Sequence, residues 1–337
     1  MSQRGGGPGE GYDVIGDVHG QYDKLVGLLR HLGYAERDGL WSHPTRRAVF
    51  VGDVIDRGEG QLDVLRLART MVEAGTGLIV MGNHEFNAIA WATPHPSNGD
   101  YLRPRLGAKG AKNYAQHAVF LTAVGADSGV HREWVDWFRT LPLWLDLGGL
   151  RAVHACWHEP SMDVLRPLAR QRGGSWCMDD TATLLASIKG TPEYEALECL
   201  LKGPEVALPD GFAYLDKEGH ERRKARIAWW RSDTSTFLRA ALIPLKSKTP
   251  AGEPCRELPD DPVTEKDVRI WPVPSYRDIV PVVVGHYWSK EDDLIHDPRM
   301  ICVDLSAAEG LNPLAAYRWS GETTIDAANL DWAGKKG

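Results

Sequence analysis

Three short segments combine glycine with side chains able to bind a metal ion: Gly16-Asp17-Val18-His19-Gly20, Gly52-Asp53-Val54-Ile55-Asp56-Arg57-Gly58 and Gly82-Asn83-His84-Glu85. Each directly follows an apolar run that reads as a strand, at residues 12–15, 48–51 and 78–81. In an extended segment residues i and i+2 point the same way. Asp17 and His19 can therefore offer an oxygen and a nitrogen to one ion. Asp53 can bridge two ions through its two carboxylate oxygens, and Asn83 adds a neutral amide oxygen. Flanking glycines let the backbone turn sharply and come close to a ligand. His154 and His286 also stand after β-branched runs. Mixed nitrogen and oxygen donors with a bridging carboxylate suit Mn, Fe, Zn or Co, while an all-oxygen Ca site is not expected and no thiolate falls in the motifs.

The elements that must position these groups alternate. Residues 21–32 place Leu25, Leu28, Leu29 and Leu32 at helical spacing, and residues 61–74 do the same with Val64, Leu65, Ala68, Met71 and Val72. A third helix runs through Ile89 and Trp91. This βαβαβ rhythm predicts parallel strands joined by crossover helices. Functional groups in such sheets collect at the carboxyl ends of the strands, so the three motifs are expected to face one crevice. Residues 107–140 read as helical and 151–154 as a strand. From 157 to 275 the pattern loosens, with short helical pieces near 193–201 and 224–240, as in an insertion or cap. Strands return at 279–284, 300–303 and 315–319. The expected organisation is a tail over 1–11, one domain over 12–327 with the insertion at about 157–275, and a frayed end over 328–337.

The chain has 337 residues, enough to bury a full core, with ordinary hydrophobic (43%) and charged (25%) fractions, so wholesale disorder is excluded. Lys+Arg is 39 and Asp+Glu is 46, a formal charge of −7 that speaks against stable nucleic-acid or anionic-membrane binding. It leaves room for a phosphorylated substrate, because a bound cation reverses the local sign. No apolar run reaches the ~20 residues of a membrane span. Five widely spaced cysteines without a C-x-x-C fit reduced thiols in a cytoplasm.

The motifs GDVHG, GDVIDRG and GNHE, followed by VHA and GHY, resemble the phosphoprotein-phosphatase (PPP) branch of the calcineurin-like metallophosphoesterases, bacterial type. The match is tight over 12–91 and returns as islands near 150–156 and 279–304. The resemblance implies an α/β fold, a central two-sheet β-sandwich flanked by α-helices. It implies a first metal held by Asp17, His19 and Asp53, and a second held by Asp53, Asn83, His154 and His286. The two divalent ions would be manganese first, with Fe, Zn, Co or Ni as the other choices. His84 corresponds to the general acid, Asp56 to the carboxylate that orients it, and Arg57 to an arginine that grips phosphate. Arg231, in Ala228-Trp-Trp-Arg231, is similar to a second phosphate-binding arginine of bacterial members. Two ions about 3.5–4 Å apart can share a hydroxide that attacks phosphorus directly. The implied activity is hydrolysis of phosphomonoesters, as in Ser/Thr protein phosphatases. The alternative is a symmetrical dinucleoside-tetraphosphate (Ap4A) hydrolase, and, from another class, an inactive metal- or phosphate-binding module. Phosphorylated protein or nucleotide are the corresponding substrates.

Blander readings stand beside these. Arg231 is equally read as a surface charge, and His154 and His286 as core histidines. His31, His43, His95, His117, His131, His158, His220 and His296 are expected to be solvated or structural, and Glu85 to hold the loop. Of 13 tryptophans, Trp157, Trp229, Trp230 and Trp288 lie near the motifs. Core packing is the favoured reading for them and a stacking platform for a base the other. The basic stretch Arg103, Arg105, Lys109 and Lys112 reads as a solvated face that could hold a distal phosphate.

Overall fold

A computed structural model describes residues 11–169, 177–216, 219–244, 247–291 and 294–335. Most of the expected N-terminal tail lies outside the described residues, and Gly11 already belongs to the first strand. Two five-stranded sheets form the centre. In the first, Gly11–Ile15, Arg46–Phe50 and Gly77–Ile79 run parallel. Ala315–Trp319 joins Gly11–Ile15 antiparallel, and Leu330–Trp332 lies outside it. In the second, Arg151–Val153, Val282–Val284 and Met300–Cys302 run parallel, with antiparallel edges at Trp144–Asp146 and His296–Asp297.

Strand alternation assigns the faces. Val14, Val49, Leu78, Ala152, Val283, Ile301 and Tyr317 pack together between the sheets. Their neighbours Ile15, Phe50, Ile79, Val153, Val284 and Cys302 face outward into a second apolar cluster shared with the helices. The result is the expected sandwich with helices on both outer faces. Helix Tyr22–His31 buries Leu25, Leu28 and Leu29, and helix Gln61–Glu73 buries Val64, Leu65, Ala68 and Met71, the stripes predicted from periodicity.

Four local differences have physical causes. The predicted helix over 107–140 is two helices, Gly107–Val124 and Gly129–Arg139. Gly125 ends the first with φ 73°, and the Ser128 side chain starts the second by accepting the His131 N–H. A hairpin, Ala35–Arg37 with Leu40–Ser42, turns at Asp38-Gly39, both at positive φ. The segment 224–240 begins as a strand, Lys224–Ile227, with only Phe237–Ala240 helical. Its burial alternates, Ala225 and Ile227 in and Lys224 out, which is a period of two. The end expected to fray pairs as a strand over Leu330–Trp332. Within the proposed insertion, helices Glu159–Ala169, Asp180–Leu185 and Pro192–Lys202 and a three-stranded sheet pack against the outer core. No helix among the described residues is long and apolar enough to cross a membrane.

Candidate active site

The loops that leave Ile15, Phe50, Ile79, Val153 and Val284 meet at one end of the sandwich. His19, Asp53, Asp56, Arg57 and His286 all hold positive φ, between 46° and 69°. Left-handed backbone at a non-glycine residue costs of order 1–3 kcal/mol and gathers where surrounding structure enforces a functional geometry. Two glycines are required by close approach. A Cβ on Gly82 would stand 2.2 Å from Asp53 Oδ1, and one on Gly285 would stand 2.0 Å from Asp17 Oδ1.

Asp53 is the hub. Its Oδ2 lies 3.4 Å from His154 Nε2, 3.8 Å from His19 Nε2 and 3.8 Å from His84 Nε2. Potential ligand atoms of Asp17, Asp53 and His154 form one tight group, and those of His19, Asp53 and His84 another. Asn83 Oδ1 lies 3.1 Å from His154 Nε2 and 2.9 Å from His286 Nδ1, and the His286 N–H points at the Asp17 carboxylate. All six predicted ligands are thus brought together around Asp53. The Nδ1 atoms of His19 and His154 sit 2.7 Å from the carbonyls of Ile55 and Val51. A carbonyl only accepts, so both Nδ1 atoms carry a proton and both Nε2 atoms are left free to face inward.

The donor set fits divalent cations. His19 Nε2 is buried with no hydrogen-bond partner among the described residues, which is costly unless a cation takes its lone pair. Burial alone would lower the His154 pKa, yet Asp53 and Asp17 together push it up to about 10. The carboxylates create a field that calls for positive charge. Burial, the His154 charge and the cations Arg226 and Lys202 hold His286 well below its ordinary value.

Beside this hub, His84 Nδ1 lies 2.5 Å from Asp56 Oδ2. Burial disfavours charge on both, but His117 and His84 hold Asp56 well below the carboxylate range, while Asp53 and Asp56 hold His84 above its ordinary value. Glu85 is buried and accepts the N–H groups of Asp53, Val54 and Gly82 at 2.8–2.9 Å, which locks two motifs to each other. Burial first, then the nearby Asp53, lifts its pKa to about 7. Asp304, also buried, accepts from Trp288 N and Ser306 N.

One member was missed by the sequence reading. His117 is buried, and its Nδ1 donates to Asp56 Oδ1 at 2.7 Å, so both oxygens of Asp56 are held by histidines. The signal was its place on the buried stripe of its helix with Asn113, Phe120, Leu121 and Val124, where a polar ring needs a partner. Arg57 is exposed, its guanidinium 4.6 Å from the Trp288 ring centroid. Arg231 is not tied into this network; it is exposed and donates to the Arg239 carbonyl at 2.7 Å. Trp157, Trp229 and Trp230 are buried, and Trp229 Nε1 donates to the Ala155 carbonyl and the Tyr287 hydroxyl. For these three the packing role is what the structure displays.

A sandwich whose loops gather aspartates, histidines and an asparagine around one carboxylate defines a metal-dependent phosphoesterase. The family profile described as calcineurin-like phosphoesterase matches residues 12–208, and the chain belongs to that family, hydrolases of phosphoric ester bonds that work with paired divalent ions. Among curated relatives, the asymmetrical bis(5'-nucleosyl)-tetraphosphatase PrpE of Halalkalibacterium halodurans is 49% identical over 74 residues, 22% of this chain and 30% of that protein. The Bacillus subtilis PrpE is 40% identical over the same length, covering 22% and 30%. The symmetrical bis(5'-nucleosyl)-tetraphosphatase of Salmonella arizonae is 38% identical over 78 residues, 23% of this chain and 24% of that one. The chain therefore matches less than a third of the length of these relatives. A solved cold-active protein-tyrosine phosphatase of a psychrophilic Shewanella superposes with a TM-score of 0.43 at 18% identity, over 94% of this chain and 80% of that one.

Proposed function

We propose that this chain hydrolyses nucleotide phosphoesters and phosphoanhydrides, dinucleoside tetraphosphates foremost, with two divalent ions, manganese first. The observation that carries the chemistry is Asp53 Oδ2 within 3.4–3.8 Å of three imidazole Nε2 atoms. The substrate class is supported by the names of the relatives that match the N-terminal motifs. Asp17, His19, Asp53, Asn83, His154 and His286 would hold the ions. When bound, these supply Lewis acidity and activate water for attack on phosphorus.

The remaining roles belong to the chain. His84, whose pKa Asp53 and Asp56 raise against the effect of burial, donates its Nε2 proton to the departing oxygen. Asp56, pinned by His117, keeps the His84 ring in one tautomer and one orientation. Arg57, on the Trp288 face, meets the equatorial phosphate oxygens, where negative charge is spread in the transition state. A second reading, a phosphoprotein-type phosphomonoesterase, is favoured by the exposure of Arg57, which would suit a phosphate presented on a bulky chain.

Initial rates with Mn2+ on diadenosine tetraphosphate, a phosphoserine peptide and p-nitrophenyl phosphate discriminate. Turnover of the dinucleotide and not of the peptide is expected. The reverse pattern replaces the proposal with the second reading, and no turnover with any divalent ion leaves a binding module.

A further inference from the structure

Arg103 is a half-buried cation that no acid among the described residues neutralises. It follows helix Asn83–Ala92, is half-buried, and gives Nη1 to Asn87 Oδ1 at 2.6 Å and Nη2 to Gln116 Oε1 at 2.8 Å. Both partners are neutral amides, which orient a guanidinium without cancelling its charge. Its Nε is buried with no partner among the described residues. Of five N–H donors, three are therefore unused. No carboxylate among the described residues comes within ion-pair reach. The acids whose field it feels are Asp56 and Glu198. Both are engaged elsewhere, Asp56 by His84 and His117, and Glu198 by the Lys202 ammonium.

A partly desolvated guanidinium with spare donors and no counter-charge is unfavourable unless a ligand brings the anion. Its placement says which anion. Asn87, which holds it, follows Asn83 by four residues on the same helix, so it stands on the same face and about 6 Å further along the axis. Asn83 itself points its Oδ1 into the Asp53 hub. We propose that Arg103 forms an anion subsite that takes a second phosphoryl group of a polyphosphate substrate whose scissile group sits at the Asp53 hub. This deepens the nucleotide reading and rests on it for the substrate's identity, but the subsite can be probed without any nucleotide.

The probes are inorganic tripolyphosphate and orthophosphate, as inhibitors of p-nitrophenyl phosphate hydrolysis at fixed free Mn2+. Wild type should bind tripolyphosphate at least about tenfold more tightly than orthophosphate, the scale of one charge-assisted contact. Arg103→Gln should bring that ratio close to one while p-nitrophenyl phosphate kcat/KM stays within about threefold, a readout that also reports folding. Arg103→Lys should retain part of the preference, and Lys109→Gln, which removes an exposed charge from the same stretch, should retain all of it. An unchanged ratio in Arg103→Gln, no preference in wild type, or a parallel fall in monoester turnover would overturn the subsite. Diadenosine tetraphosphate hydrolysis is assayed separately. If it is absent while the ratio behaves as described, the nucleotide proposal fails and the subsite stands.

Discussion

Removing His117 should disable the acid without touching the metal hub. In His117→Leu a side chain of similar bulk replaces the ring between Trp91 and Phe120, so little cavity opens. Asp56 Oδ1 loses the donor 2.7 Å away and stays buried. A hydrogen bond to a charged group contributes about 1.5–3 kcal/mol, and leaving its acceptor buried adds a desolvation term, so a stability loss of about 2–4 kcal/mol is expected. Asp56 is then free to turn, and His84 Nδ1, 2.5 Å from the other oxygen, loses its fixed partner. A positioned general acid contributes about 10²–10⁴ in rate, and a mispositioned one forfeits part of that, here about 10–100-fold. The assay compares an alkyl phosphate, whose leaving oxygen needs a proton, with p-nitrophenyl phosphate, whose leaving group does not. The alkyl rate should fall by the full factor and the aryl rate by less than about threefold. His84→Asn should give the same split, larger on the alkyl substrate. His117→Asn, whose amide nitrogen can stand where Nδ1 stood, should recover most of the loss. Equal losses on both substrates, or none on either, would refute this role for His117.

Two further outcomes follow from the structure. Trp288→Ala removes the ring under Arg57, an interaction on the order of 1 kcal/mol, so kcat/KM for p-nitrophenyl phosphate should fall about fivefold; an unchanged kcat/KM would contradict it. Burial first, and then His117, lowers the pKa of His131 to about 4, below its ordinary 6.5. Its neutral form is the folded one, so the unfolded chain binds the proton first. The stability it contributes is complete above about pH 6.5 and is lost as pH falls towards 4, roughly 2 kcal/mol after allowance for screening. Urea unfolding at pH 7.5 and 5 should show a steeper loss in wild type than in His131→Gln, and equal slopes would dismiss the assignment.

What could be read from the chain was what is local. The ligands stand beside glycines at strand ends, and strand ends in parallel sheets converge, so Asp17, His19, Asp53, Asn83, His154 and His286 could be nominated before any distance was known. The sheet faces were legible in the same way, since Val14 and Ile15, or Val49 and Phe50, must point to opposite sides. Groups that depend on tertiary approach were not legible. His117 lies 61 residues beyond the carboxylate it binds, on an otherwise ordinary helical stripe. Arg231 carries a motif-like context, but its placement depends on how 224–240 folds, and a strand at Lys224–Ile227 replaces the expected helix there. Arg103 was one of four basic residues in a stretch, and only the neutral amides around it set it apart. The Asp38-Gly39 dipeptide is a turn signal, but strands of only three residues on either side give no alternation to read.

We propose that Asp53, shared by both ligand groups, joins them into one dinuclear centre. Equilibrium dialysis of the full chain against Mn2+, with bound metal counted per chain by mass spectrometry, tests it most directly. Wild type is predicted to hold two ions and Asp53→Asn fewer than one, with the folded state verified by circular dichroism. Two ions retained by the folded Asp53→Asn protein would contradict the account.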